Sequence, residues 1–271
     1  MSLCQCILLV LTLYTLQGVT LSLFESLTLF LASKNATWTQ QSIWSLVMYP
    51  FTVKLLWAPL IDVLYIRQLG RRQTWLLPVL VLLGIILIVL SFYLEELIED
   101  LRVIELTMIF FVIIFLTATQ DICVDGWALT LFASSDVVWQ SIAQSIGQPL
   151  GSFLGSPILL IFESANMTNQ LIRQPLGMPL QSFGLFTLGQ FLRFWGVMFF
   201  AVTVLVTIIV LKQRRHSDDD ENRTRLSLLD TYLYCLKLFK KKCFRQATLI
   251  LIGPNVGYAA TSTMTSLVLI R

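Results

Sequence analysis

Two aspartates, Asp121 and Asp125, lie near the end of a segment that is otherwise almost continuously apolar from Leu106 to Phe132. Their spacing of four residues puts both carboxylates on the same face of a helix. An ionised carboxylate inside a bilayer costs at least about 2.5 kcal/mol, so such residues usually face a polar cavity or a charged partner. The pair therefore indicates either a proton relay or gate within a membrane protein, or a structural ion pair or helix-end cap.

The composition supports a membrane protein. Hydrophobic residues make up 56% of the 271 residues and charged residues only 13%, whereas soluble domains contain about 25% charged residues. A helix needs about 20 consecutive, mainly apolar residues to span the hydrocarbon core. The sequence therefore predicts an all-α membrane protein with seven spans, numbered in chain order: residues 5–31, 42–66, 75–94, 103–132, 138–163, 190–211 and 246–270.

The charges of the loops predict how these spans are oriented. Arginines and lysines concentrate between spans 2 and 3 and after span 6, whereas the connection between spans 3 and 4 carries four carboxylates. The positive-inside rule then puts the amino terminus and both basic loops in the cytosol. Two Asn-X-Thr glycosylation sequons, at Asn35 and Asn166, fall on the opposite side, where they can be modified. A third sequon, at Asn222, is cytosolic and should stay unmodified.

In this orientation span 4 enters the bilayer from the outer side near Leu106. At a rise of 1.5 Å per residue it reaches Asp121 after about 22 Å, which places that residue in the cytosolic half of the bilayer and Asp125 near the interface. Gln120 directly precedes the pair. We expect Gln120, Asp121 and Asp125 to serve in coupling or gating, with the arginines of the 2–3 loop as candidate partners of the carboxylates.

A lysine, Lys54, lies near the middle of span 2 between Pro50 and Pro59, two residues that interrupt helical hydrogen bonding. A cation at this depth needs a carboxylate, a carbonyl or an anionic ligand. Two interpretations are open: an ion pair with Asp121, and contact with an anionic substrate. Both are compatible with a single transport cycle, because the long lysine stem can reach more than one partner.

Small residues recur every four positions in span 5, at Ala143, Gly147, Gly151 and Gly155. A ridge of this kind lets a neighbouring helix approach closely. The sequence around it does not suit a nucleotide-binding glycine loop, because no strand precedes the glycines and no lysine follows them. The ridge therefore predicts a packing seam between helices.

The order of the spans predicts three regions. Residues 1–211 form a six-helix block that corresponds to the amino-terminal half of a transporter. Residues 212–244 form a cytosolic linker that ends in an amphipathic helix on the membrane surface. Residues 245–271 contain the first helix of a truncated second half. The sequence predicts no catalytic residue, metal site, cofactor or nucleic-acid partner, and its only histidine, His216, lies in the polar linker.

Residues 119–130, with the sequence TQDICVDGWALT, resemble the acetyl-coenzyme A transporter family of the endoplasmic reticulum, a branch of the major facilitator superfamily. Asp62, followed at some distance by Gly70-Arg71-Arg72, resembles a signature of that superfamily, although the gap is longer than usual. Further short matches to the family occur in the same order along the chain: LQG (16–18), SKN (33–35), KLLWAPLID (54–62), ESAN (163–166) and FWG (194–196).

The resemblance implies a major-facilitator-type six-helix bundle followed by an isolated seventh helix, in a multi-pass protein of the endoplasmic reticulum membrane. It also implies that acetyl-CoA is carried from the cytosol to the lumen. Acetyl-CoA is strongly anionic, so carboxylates, with Asp62 among them, suit coupling or gating better than substrate contact. The expected substrate contacts are cations for the phosphates and rings for the purine: Lys54, Trp57, Arg71, Arg72 and Trp127.

Other functions stay open at this point. The chain is alternatively a truncated, non-transporting family member that associates with a full-length relative or with a second copy of itself. A third possibility is a transporter of another anionic metabolite. A membrane-embedded acyltransferase fits less well, because such chemistry requires a general base and the one histidine lies outside the predicted spans.

Overall fold

The computed structural model describes residues 2–66, 69–132 and 136–214, and a few isolated positions between 232 and 246. The chain divides into two compact units, Met1–Glu221 and Asn222–Arg271, and almost all of the described residues belong to the first. The predicted seventh span and most of the predicted interfacial helix lie outside the described residues. The three predicted regions therefore stay a prediction.

Helices and the turns between them build the described part of the first unit, which contains no β-strand. In chain order the helices are α1 (Leu3–Ser33), α2 (Trp38–Ser45), α3 (Tyr49–Val53), α4 (Ala58–Val63), α5 (Gln73–Leu90), α6 (Leu94–Glu99), α7 (Val103–Leu131), α8 (Val138–Gly155), α9 (Pro157–Glu163), α10 (Ala165–Thr168) and α11 (Leu188–Arg214). A π-helical turn, Asn169–Arg173, follows α10.

Five stretches of the described chain are long and apolar enough to cross a membrane. They are α1, α5, α7, α8 together with α9, and α11 as far as Lys212. Their ends fall within four residues of the predicted spans 1, 3, 4, 5 and 6. The prediction of an all-α membrane protein is confirmed.

Span 2 is not one continuous helix, which agrees with the expectation that its two prolines interrupt helical hydrogen bonding. It consists of α2, α3 and α4, separated by 3-10 turns at Leu46–Met48 and Lys54–Leu56. Pro50 and Pro59 each lie in the first turn of a short helix, where the missing backbone N–H is tolerated because no helical carbonyl is there to accept it. Each proline therefore starts a new helix, and Lys54 stands at the break between α3 and α4.

The small-residue ridge of α8 forms a packing seam, as predicted, and the helix packed against it is α1. Its members are buried on the side that faces α1. A side chain at Gly151 would collide with the Thr15 carbonyl oxygen and with Gly18, and one at Gly147 would lie 2.8 Å from the Leu11 carbonyl oxygen. The backbones of the two helices are thus in direct contact, which is possible only because these positions carry no side chain.

Helix α7 is the centre of the bundle. It packs against α1, α5 and the short helices of the broken span. Its polar residues from Thr117 to Asp121 are buried among these neighbours and not exposed to lipid. On the far side of α5 lies α11, with Gly84 of α5 close to Gly196 of α11. Polar groups from α1, α7 and the broken span therefore meet inside the bundle.

The connection between α9 and α11, on the predicted outer side, is organised around the buried Arg173. Its guanidinium donates to Asn169 Oδ1 at 2.7 Å and to two backbone carbonyls at 2.8 and 3.3 Å. Because the charge is met by several acceptors, the loop can bury an arginine at little cost. The two predicted glycosylation sites, Asn35 and Asn166, are exposed, and their modification stays a prediction.

Candidate functional site

Lys54 and Asp121 form an ion pair inside the bundle. The Lys54 ammonium contacts Asp121 Oδ2, and the Lys54 Nζ also lies 4.4 Å from the centre of the Phe51 ring. The Asp121 side chain is 1% exposed and the Lys54 side chain 34% exposed. One of the two interpretations of Lys54 is thereby confirmed, since a buried carboxylate has found a cation. Removal of Lys54 would leave the buried Asp121 carboxylate without a cation, so Asp121 depends on Lys54.

The second oxygen of Asp121 is bound by a residue that the sequence analysis missed. Gln17 of α1 donates from Nε2 to Asp121 Oδ1 at 2.7 Å. Gln17 is fully buried, and its Oε1 atom has no hydrogen-bond partner among the residues that the structure describes. A buried amide oxygen without a donor is unusual and costs free energy. It marks Gln17 as a residue with a purpose beyond packing.

Two further polar contacts join α1 to α7 on either side of Gln17. The Tyr14 hydroxyl donates to Asp125 Oδ1 at 2.5 Å, and the Thr117 hydroxyl donates to Thr20 Oγ1 at 3.2 Å. Successive rungs are three residues apart on α1 and four apart on α7, as expected for one face of each of two antiparallel helices. We call these three pairs the polar ladder: Tyr14–Asp125, Gln17–Asp121 and Thr20–Thr117.

A sequence signal for the polar ladder exists, although it is weak. Tyr14, Gln17 and Thr20 recur every three residues within an apolar stretch of α1, which places them along one side of the helix. Uncharged polar residues in spans are common enough that this pattern alone does not identify partners. The carboxylates of α7 are needed as well, because they identify which groups the polar residues of α1 contact.

Gln120 lies beside Asp121 in sequence but has a different partner. Its Nε2 donates to the Leu13 backbone carbonyl at 3.1 Å, and its Oε1 lacks a donor within the described ranges. A neighbouring backbone contact comes from α8, where Gln140 donates to the backbone carbonyl of Asp125 at 3.3 Å. Gln120 thus ties α7 to the α1 backbone, and its expected part in coupling stays a prediction.

The described arginines of the 2–3 loop, Arg71 and Arg72, form no ion pair with the α7 carboxylates, in contrast to the expectation, and Arg67 lies outside the described residues. Arg72 Nη2 lies 2.6 Å from Asp62 Oδ1, because the short connection between α4 and α5 places these two side chains close together. Arg72 nevertheless touches α7, where any side chain at Gly126 would collide with its guanidinium. Arg71 lies over the Tyr65 ring at 5.3 Å.

The two tryptophans proposed to stack on a purine lie in different surroundings. Trp57 follows Lys54 at the helix break, is partly buried and packs on the Phe115 ring at 4.8 Å. Its indole Nε1 is buried and has no acceptor in the part of the chain that the structure describes. Trp127 is only 2% exposed and belongs to the apolar core. In this conformation Trp57 is therefore the better placed of the two to reach a ligand.

The structure thus brings some predicted site residues together and keeps others apart. Lys54 and Asp121 are in direct contact, and Asp125 is one helical turn from them with Tyr14 as its partner. Asp62 and Arg72 form a separate pair at the end of α4. Chemically, the buried Asp121 carboxylate can bind a cation or a proton, and the Lys54 ammonium can exchange this carboxylate for another anion. The Asp62 and Arg72 pair links the end of α4 to the start of α5.

Comparison with known proteins gives a consistent family. A family described as Acetyl-coenzyme A transporter 1 matches residues 5–226. An uncharacterized protein of Schizosaccharomyces pombe is 30% identical over 257 residues, which cover 94% of this chain and 47% of that protein. An uncharacterized membrane protein of Saccharomyces cerevisiae is 31% identical over 218 residues, which cover 73% of this chain and 38% of that protein.

The chain spans less than half of the length of these two relatives. No solved structure matches it. The family match extends over most of the chain, and it includes Lys54, all six residues of the polar ladder and the Asp62 and Arg72 pair. The protein therefore belongs to the Acetyl-coenzyme A transporter 1 family.

Proposed function

We propose that this chain forms the amino-terminal half of a secondary transporter that carries acetyl-CoA from the cytosol into the lumen of the endoplasmic reticulum. The observation that carries the proposal is the ion pair of Lys54 and Asp121 at a helix break inside the bundle. Membership of the transporter family supports the substrate. The basic 2–3 loop supports the orientation, with cations at the cytosolic mouth.

The helix break supports a path for a polar substrate. Non-helical backbone within a membrane is tolerated only where it is buried in protein or lines a water-filled cavity. Here the 3-10 turn Lys54–Leu56 contains the exposed Leu55, and the preceding Thr52 and Val53 are exposed as well. Transporters commonly bind substrate near the midplane at such discontinuous helices. The broken span therefore suits the wall of a transport path better than a surface against lipid.

Lys54 suits an anionic substrate because its ion pair with Asp121 leaves part of the lysine side chain accessible. Its partner Asp121 is almost completely buried, whereas a third of the Lys54 side chain is exposed on the open side of the break. A lysine carries its charge on a long, flexible stem, and its ammonium is a good partner for phosphate. The Lys54 ammonium is thereby able to leave Asp121 and pair with a phosphate group, so that its own charge stays compensated.

The remaining predicted contacts lie toward the predicted cytosolic end of the bundle. Arg71 and Arg72 stand where α5 begins, and they are positioned to attract an anion that approaches from the cytosol. Trp57, three residues beyond Lys54, offers a ring beside the ion pair. We assign the purine to Trp57 before Trp127, which reaches a ligand only if the core around it opens.

The test of the substrate is uptake of radiolabelled acetyl-CoA by vesicles that contain this protein. Uptake above that of protein-free vesicles is expected, and it should fall at least tenfold for Lys54→Ala. Lys34→Ala is the matched control, because Lys34 is an exposed lysine in the connection after α1. Absence of uptake by the unaltered protein would exclude acetyl-CoA as the substrate.

A second candidate function is association with a full-length relative or with another copy. It is favoured by the fact that the matched relatives contain much more chain than the aligned segment, so that in them another segment is available to face the broken span. Co-purification of this chain with a differently tagged full-length relative would support it. Recovery of this chain as a lone monomer under the same mild detergent conditions would count against it.

A further inference from the structure

We infer that Asp121 is the proton-binding site of this carrier and that it takes up one proton from water when Lys54 turns to an anionic substrate. The inference rests on the proposed function for the identity of that anion. It goes further, because it names the coupling ion, the residue that holds it and the residue that accommodates both protonation states. The polar ladder and the helix break supply the observations.

The first observation is the imbalance between the two partners of the ion pair. Asp121 is 1% exposed and has no second cation within 4 Å in the described part of the chain. When the Lys54 ammonium moves to a phosphate, the Asp121 carboxylate stays behind, buried, with Gln17 as a hydrogen-bond donor but without a cation. A buried carboxylate without a cation is neutralised by protonation, because burial strongly disfavours the ionised form.

The second observation is the unpaired amide oxygen of Gln17. An ionised Asp121 accepts a hydrogen bond from Gln17 Nε2, and this leaves Gln17 Oε1 without a donor. A protonated Asp121 carries an O–H group that can donate to that oxygen after the amide of Gln17 has rotated. Gln17 therefore has a partner for each protonation state, whereas an aliphatic side chain at this position would have none.

The ionisable groups around Asp121 are consistent with the uptake of one proton, at Asp121. Lys54 contacts it from the broken span, and Asp125 lies one turn further along α7 with its carboxylate bound by the Tyr14 hydroxyl of α1. Asp125 interacts electrostatically with both Asp121 and Lys54, but the Tyr14 hydroxyl is the group that donates to its Oδ1. The Asp62 and Arg72 pair is self-compensated near the start of α5. Asp121 is thus the carboxylate that loses a direct cation contact when Lys54 moves.

The charge balance of the step is simple. In the substrate-free state the ammonium and the carboxylate cancel each other. On binding, the ammonium compensates one negative charge of the substrate, and the proton that enters from the cytosol compensates the carboxylate. Release of the substrate on the other side lets Lys54 return, and the proton leaves Asp121. Each substrate molecule is therefore carried together with one proton.

Infrared difference spectroscopy of the purified chain tests the proton site without any substrate. Lys54→Met removes the cation and keeps the apolar stem, so the variant should gain the C=O band of a protonated carboxylic acid at neutral pH. The band should disappear in the double variant Lys54→Met, Asp121→Asn. Gln17→Leu in the Lys54→Met background should shift it to the higher frequency of an acid with fewer hydrogen bonds. Lys34→Met is the control and should gain no band.

Calorimetry with acetyl-CoA tests the linkage to substrate. Titrations in two buffers of different ionisation enthalpy should show uptake of about one proton per ligand bound, and Asp121→Asn should reduce this number to near zero. Binding without proton uptake would overturn the inference and leave the proposed substrate intact. Absence of acetyl-CoA binding together with the infrared band would support the proton site and overturn the proposed substrate. Absence of the band in Lys54→Met would overturn the proton site in either case.

Discussion

Tyr14 and Asp125 are 111 residues apart in sequence, and the hydroxyl of one donates a hydrogen bond of 2.5 Å to the carboxylate of the other. The contact closes the end of the polar ladder that lies toward the predicted cytosolic side. It also holds the amino-terminal part of α1 against the carboxyl-terminal part of α7. The relationship explains why a carboxylate near a membrane interface is kept inside the bundle and not exposed to water.

This contact predicts the behaviour of Tyr14→Phe. The substitution keeps the ring and removes the donor, so the partly buried Asp125 loses the hydrogen bond from the hydroxyl. Removing one partner of a buried hydrogen bond costs about 1–3 kcal/mol. We expect a lower thermal midpoint in detergent, measured by tryptophan fluorescence. Asp125→Asn should cost less, because an asparagine oxygen still accepts from Tyr14, and equal losses for the two variants would contradict the role of the hydroxyl.

The seam between α1 and α8 predicts a strong effect of Gly151→Leu. The new side chain would have to displace Thr15 and Gly18, which are backbone contacts and cannot rotate away. Overpacking of this kind costs about 1–3 kcal/mol, and more where backbones must separate. Thermal unfolding in detergent is the measurement. Ser145→Leu on the exposed side of the same helix is the matched control, and similar losses for both variants would contradict the seam.

The pairing of Arg72 with Asp62 next to Gly126 predicts non-additive effects. Asp62→Asn removes the partner of Arg72, and Gly126→Val displaces the same guanidinium from α7. Because both changes release one side chain, the double variant should lose little more acetyl-CoA uptake than the stronger single variant. Asp100→Asn, in the exposed ion pair with Arg102, should leave uptake unchanged. Multiplied losses in the double variant would show that the two sites act independently.

The predicted orientation can be tested by glycosylation. Asn35 and Asn166 should carry glycans and Asn222 should not, which single Asn→Gln variants and digestion with an endoglycosidase would show on a gel. The hydroxyl of Thr168, in the second of these sequons, is buried and donates to the Ile161 carbonyl at 3.1 Å. Modification at Asn166 must therefore precede folding of this loop. A glycan at Asn222 would show that the orientation is the opposite of the predicted one.

Much of this arrangement could be predicted from the sequence because the membrane leaves few choices. Apolar stretches of sufficient length must be helices, and the residues 5–31 and 103–132 correspond closely to α1 and α7. A lysine and an aspartate within such stretches need partners of opposite charge, and Lys54 and Asp121 form an ion pair with each other. The glycine ridge of α8 predicted a seam for a similar reason, since close backbone approach is what bare positions allow.

The sequence by itself determined the membrane class, the positions of most spans and the need of Lys54 and Asp121 for opposite charge, because burial in lipid makes each of these choices costly to avoid. Only the tertiary structure decided that span 2 breaks at Lys54, that Gln17 and Tyr14 complete the carboxylates, and that Arg72 prefers Asp62. Several polar partners are chemically suitable for each of these groups, and the packing of the helices decides which of them lies within about 3 Å. The spacing of residues along the sequence does not determine distances of that precision.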